Sequence, residues 1–131
     1  MQDRPIEKLA KPFAVAVTEA RSGDRAVFNR GDTGLAVRAS ASIPNLFVPP
    51  VINGEAYVDG GLTSPVPARL ARTMGADIVI AVDVSWFALM RAADPGGMTQ
   101  HGRSARYPHL VAELDAADIV VTPKTVRARM L

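Results

Sequence analysis

Cysteine is absent from this chain of 131 residues. Disulfides and thiolate metal sites are excluded, a usage compatible with a reducing compartment. Aromatic residues make up only 5%, and no run of Lys or Arg stands out. The 15 basic residues are nearly balanced by 13 acidic ones, a formal net charge of +2. A nucleic-acid partner is therefore not expected. Long apolar runs are also missing. No apolar run exceeds that of Ile78-Val79-Ile80-Ala81-Val82, five residues, against the ~20 residues a membrane-spanning helix needs. The start, Met1-Gln2-Asp3-Arg4-Pro5, is polar and leads into no signal-peptide core, so a cytoplasmic protein is expected.

What is present suits one folded domain: 48% hydrophobic and 21% charged residues can bury a core. Residues 12–20 and 26–29 read as two strands of a hairpin around Arg21-Ser22-Gly23-Asp24-Arg25. Residues 35–41 read as a short helix with Asp32 or Thr33 as its N-cap, ended by Pro44. Residues 43–50 are irregular. Asn53-Gly54, between Val51-Ile52 and Ala56-Tyr57-Val58, is a strong hairpin signal. A helix follows, with Ser64 as cap, Pro65 at its first position, Val66, Leu70 and Met74 as its apolar stripe, and Gly75 at its C-terminal end. Residues 77–84 read as a strand buried on both faces. Strand, helix and buried strand make a βαβ unit and point to a parallel sheet. Residues 92–107 read as a loop, 108–116 as a helix and 118–122 as a last strand.

Asp59-Gly60-Gly61 ends the strand of Ala56-Tyr57-Val58, which places a carboxylate at a strand tip on a turn that lets backbone approach closely. Two readings compete on physical grounds alone. Asp59 is either a functional carboxylate or a turn aspartate that caps the helix starting near Ser64, and local hydrogen bonding alone favours the cap. Gly60-Gly61 before a helix also suggests a phosphate cradle, but no Gly-x-Gly-x-x-Gly or P-loop occurs, and Pro65 and Pro67 remove two N–H groups. Ser40 and Ser42 fit backbone-bonding roles at a helix end. Asp83 fits a structural hydrogen bond. His101 and His109 read as surface residues, and neither a metal nor a cofactor is expected. The apolar stretch 86–90 fits core packing better than a lipid-facing patch.

Five blocks in order carry a family resemblance: Ala39-Ser40-Ala41-Ser42-Ile43-Pro44-Asn45-Leu46-Phe47, Pro50-Val51-Ile52, Tyr57-Val58-Asp59-Gly60-Gly61, Ser64-Pro65-Val66-Pro67, and Gly75-Ala76-Asp77-Ile78-Val79-Ile80-Ala81-Val82-Asp83. Together they resemble the C-terminal half of the patatin-like phospholipase family, over residues 12–123 or so. The resemblance implies an α/β fold with a parallel-dominated sheet and helices on both faces, a three-layer α/β/α domain that is incomplete here. Residues 1–131 would be its C-terminal portion. It implies serine hydrolysis of phospholipid or other lipid esters by a Ser-Asp dyad. Asp59 would be the catalytic base, with Gly60 and Gly61 supporting it.

The dyad's other half, a Gly-x-Ser-x-Gly elbow, does not occur. Ser22, Ser40, Ser42, Ser64, Ser85 and Ser104 all lack the flanking glycines. The expectation is a fragment whose nucleophile half is absent and which hydrolyses nothing alone. Its expected partners are a lipid ester substrate, transient contact with a membrane surface, and either a complementing N-terminal half or a second copy. The alternative is a non-catalytic remnant or regulatory module that pairs with a full-length relative.

Overall fold

The computed structural model describes residues 4–84 and 108–123, with no side-chain detail at 108 and 109. The expectations for residues 86–90, for 92–107 and for the side chains of His101 and His109 lie outside that description. The chain divides into two compact units, Met1–Ser64 and Pro65–Leu131.

In the first unit, β1 (Val15–Glu19) and β2 (Arg25–Phe28) form the expected hairpin, with Val15 opposite Phe28 and Thr18 opposite Arg25. A second hairpin joins β3 (Val51–Ile52) to β4 (Glu55–Val58). Asn53 and Gly54 have φ of 53° and 87°, the paired positive values of the type I′ turn that Asn-Gly selects. The two hairpins meet where Thr18 lies opposite Val58 and Glu19 opposite Tyr57. The strand order is β2-β1-β4-β3.

Every pairing in this sheet is antiparallel, which corrects the expected parallel-dominated sheet. β4 has β1 on one side and β3 on the other, so neither of its own sides is free to pair with a later strand. Among the described residues parallel pairing occurs in the second unit, where β5 (Ile80–Val82) runs alongside β6 (Ile119–Val121). The fold is mixed α/β.

α1 (Thr33–Ser40) starts where expected. Asp32 is its N-cap, and its carboxylate accepts the Leu35 N–H. Its Ala36 and Ala39 pack with Ile6, Val15 and Val17 as the buried core of this unit. Phe28 and Tyr57 meet edge to face beside it, with ring centroids 4.9 Å apart. The segment before β1 is tied to the start of α1. Gly31 N–H donates to the Glu7 carboxylate at 2.9 Å, and Ile6 N–H donates to the Gly31 carbonyl at 2.8 Å.

In the second unit, α2 (Ala68–Thr73) begins later than expected, and Ser64 does not cap it. Pro67 bars Val66 from the helical region, so the helix can start only after it. Its N-terminus is satisfied from elsewhere: the buried Glu113 carboxylate of α3 (Pro108–Asp115) accepts the Arg69 N–H at 2.7 Å. Gly75 follows the helix with φ of 91°, as a left-handed C-terminal residue. Val66, Ala81 and Leu110 form the core here, with Leu114 and Ala117 packed against it.

The expectation of a strand buried on both faces is corrected too. Val79, Ala81 and Asp83 are buried, while Ile78, Ile80, Val82 and Val84 are exposed. Among the described residues the core helices lie against one face of β5 only.

Candidate active site

β4 delivers Asp59 to the end of the sheet, and three backbone-directed bonds fix it there. Asp59 N–H donates to the Ser42 carbonyl at 2.9 Å. The Asp59 carbonyl accepts the Thr18 hydroxyl at 2.9 Å. Its side-chain Oδ1 accepts the Gly61 N–H at 2.7 Å, capping a short 3-10 turn over Gly60–Leu62. Among the described residues Oδ2 has no hydrogen-bond partner. The half-buried carboxylate is thus held by one oxygen and can accept a proton donor with the other.

Gly60 has a steric role. In the antiparallel register of β1 and β4 its position continues the ladder opposite Ala16. A Cβ there would lie 2.0 Å from the Ala16 carbonyl oxygen and 3.2 Å from Ser40 Oγ. Only glycine lets the chain turn away from the sheet at this distance. A Cβ on Gly61 would meet only the Asp59 carboxylate, Oδ1 at 2.9 Å and Cγ at 3.9 Å. Asp59, Gly60 and Gly61 therefore form one local device in which the glycines set where the carboxylate points.

Two threonines that sequence reasoning missed support it. Thr18 Oγ1 lies 2.9 Å from Thr63 Oγ1. The Thr18 proton is committed to the Asp59 carbonyl, so Thr63 is the donor between the two hydroxyls. The relay Thr63, Thr18, Asp59 ties the 3-10 turn to β1. A threonine inside a strand is an ordinary β-former, so only the strand register could have located it. Ser42 bonds backbone, as expected, through Oγ to the Arg38 carbonyl at 2.7 Å. Ser64 is buried, and among the described residues its Oγ has no hydrogen-bond partner. Among the described residues no cluster of three His, Asp or Glu side chains could hold a metal ion.

This device lies inside a match to a known family. The profile of the patatin-like phospholipase family covers residues 2–72. The chain belongs to that family. The matched region holds the whole Asp-Gly-Gly device and ends within α2. Curated relatives agree. An uncharacterized NTE family protein of Mycobacterium tuberculosis is 34% identical over 80 residues, 61% of this chain and 22% of the relative. A second such protein of that organism is 42% identical over 80 residues, 60% of this chain and 14% of the relative. Patatin-like phospholipase domain-containing protein 7 of Mus musculus is 37% identical over 86 residues, 63% of this chain and 6% of the relative. The chain spans less than a quarter of the length of these relatives.

Proposed function

We propose that this patatin-like chain supplies the general base of a lipid acyl hydrolase, with Asp59 as half of a Ser-Asp dyad. The observation that carries the reading is the carboxylate fixed through Oδ1, with Oδ2 unpartnered among the described residues, inside the family-matched residues. A hydroxyl becomes a useful nucleophile when an adjacent base takes its proton. Asp59 has the geometry for this because its backbone and one oxygen are already anchored. Reorienting the carboxylate therefore costs little at the moment of transfer.

The serine comes from outside these residues, since no Gly-x-Ser-x-Gly occurs in the chain. In the complete site the Asp59 carboxylate accepts the serine proton as the serine oxygen attacks the ester carbonyl; the tetrahedral intermediate collapses, the ester C–O bond breaks, and the alcohol leaves with that proton. Water, giving its proton to the same carboxylate, then hydrolyses the acyl-enzyme, releasing the fatty acid and returning the proton to the serine. The substrate is a phospholipid or another lipid ester. The partner is a complementing half that carries the elbow, which would complete a three-layer domain around the sheet described above.

The test is reconstitution. The purified chain alone should turn over no lipid ester. Mixing it with a separately expressed family segment bearing Gly-x-Ser-x-Gly should restore turnover, and Asp59→Asn should abolish it. Restored turnover that survives Asp59→Asn sinks the proposal. The missing elbow also favours a second reading, a non-catalytic module that pairs with a full-length relative. In that case pairing occurs and Asp59→Asn changes nothing about the relative's activity.

A further inference from the structure

We propose that the loop of residues 43–48, with Arg38 beside it, is a docking surface for an anionic phospholipid membrane. The inference rests on the lipid-ester reading of the site, but its test needs no turnover.

Residues 39–54 contain no charged side chain, although most of them are solvent-facing. Within that stretch Leu46 is 66%, Phe47 54% and Val48 78% exposed, with Ile43 also outward. Contiguous exposed apolar side chains on one loop mark an interaction site. The loop is not a loose excursion. Leu46 and Phe47 N–H groups both bond the Ile43 carbonyl, at 3.1 and 3.0 Å. Asn45 turns the chain with φ of 66°. The apolar side chains are therefore presented by a defined turn.

Charge complementarity identifies the occupant. Arg38 lines a cavity of about 180 Å³ with Ala41, Ser42, Phe47 and Val48. Among the described residues its guanidinium has no hydrogen-bond or ion-pair partner. An unpaired cation above apolar walls matches a lipid phosphate above its acyl chains. The loop also adjoins the candidate base, because Ser42, at its root, accepts the Asp59 N–H. A lipid engaged at the loop is thus delivered toward the carboxylate.

Co-sedimentation of the full chain with vesicles tests this. The wild type should sediment with equimolar phosphatidylcholine and phosphatidylglycerol, and far less with phosphatidylcholine alone. Phe47→Asp should weaken binding at least about tenfold, from the lost burial of one aromatic side chain. Arg38→Gln should weaken it about fivefold on the anionic vesicles only, the share of one cation near a charged surface. If Phe47→Asp loses its far-UV circular dichroism, Val48→Asp, at the most exposed position, decides in its place. Asp59→Asn keeps the loop and should sediment like the wild type, so failure of the catalytic reading and failure of this one remain distinguishable. Absence of binding by the wild type overturns the proposal, as does unchanged binding by the folded loop variants. A wild-type dimer that Phe47→Asp dissociates also overturns it, and assigns the loop to a second copy.

Discussion

Replacing Gly60 by alanine puts a methyl group against backbone. Its Cβ would lie 2.0 Å from the carbonyl oxygen and 2.7 Å from the carbonyl carbon of Ala16. Ordinary contact begins near 3.4 Å, so something must part. Ala16 sits inside β1, between the fully buried Val17 and the buried Val15, and is laddered to β2 opposite Val27. It cannot retreat without breaking that ladder. The chain at Gly60 must move instead, and it carries the Asp59 carbonyl away from Thr18. Overpacking a rigid site costs about 1–3 kcal/mol and sometimes more. A backbone clash this close, coupled to a lost buried hydrogen bond of about 1–3 kcal/mol, should sit at or above the top of that range.

Gly61→Ala is the matched control. Its Cβ meets only the Asp59 carboxylate, which can rotate, so a cost of about 1 kcal/mol, roughly one hydrogen bond, is expected. Urea unfolding followed by circular dichroism, with hydrogen exchange at residues 15–19, reads both. A Gly60→Ala protein that unfolds at the wild-type urea concentration, with β1 amides equally protected, would refute the close approach of this turn to β1.

Thr18→Val removes the hydroxyl between the Asp59 carbonyl and Thr63 while keeping the side-chain shape. It should cost about 1–3 kcal/mol in the urea midpoint, because buried polar atoms lose a partner. Asp32→Ala removes the N-cap of α1 and should cost about 1 kcal/mol in the same assay. The Val79 N–H, with Arg72 beside it, holds the Asp118 carboxyl below its ordinary 3.8. The unfolded chain thus takes up this proton at a higher pH than the folded one. The stabilisation is complete above 3.8 and is lost as pH falls through the lower folded value. Exchange protection of β5 and β6 amides should drop across that window in the wild type, and Asp118→Asn should flatten the dependence.

The local signals were legible because each has a local cause. Asn53-Gly54 selects its turn whatever surrounds it, and Asp32 caps the helix that follows it. The carboxylate at the end of β4 could be placed for the same reason. Strand pairing was not legible. An apolar run such as residues 78–84 has the composition of a central parallel strand, yet every second side chain faces outward. Its neighbours are chosen by edges left open elsewhere, and β4 had none. The start of α2 was misplaced because Ser64-Pro65 imitates a capped helix start, while Pro67 two residues on enforces a later one. The acceptor for that helix, Glu113, is 44 residues away from the N–H it serves, a distance no local pattern spans. Thr18 escaped notice for a similar reason: its role exists only once β1 and β4 are in register.

That register has a kinetic meaning. Each hairpin of the main sheet closes over a short turn and can form in microseconds without the other. Their junction is narrow, with Thr18 facing Val58, Glu19 facing Tyr57, and one further bond from Ala20 N–H to the Ala56 carbonyl at 2.9 Å. It is also the step that must close a long intervening segment, so it bears the largest loop-closure entropy in the sheet. The anchors that aim the Asp59 carboxylate all lie at or just beyond this junction. In refolding, signals from the two turns should therefore recover first. The Asp59 carbonyl gains its bond from Thr18 only when the seam between the hairpins zips, making that contact a late event of the first unit.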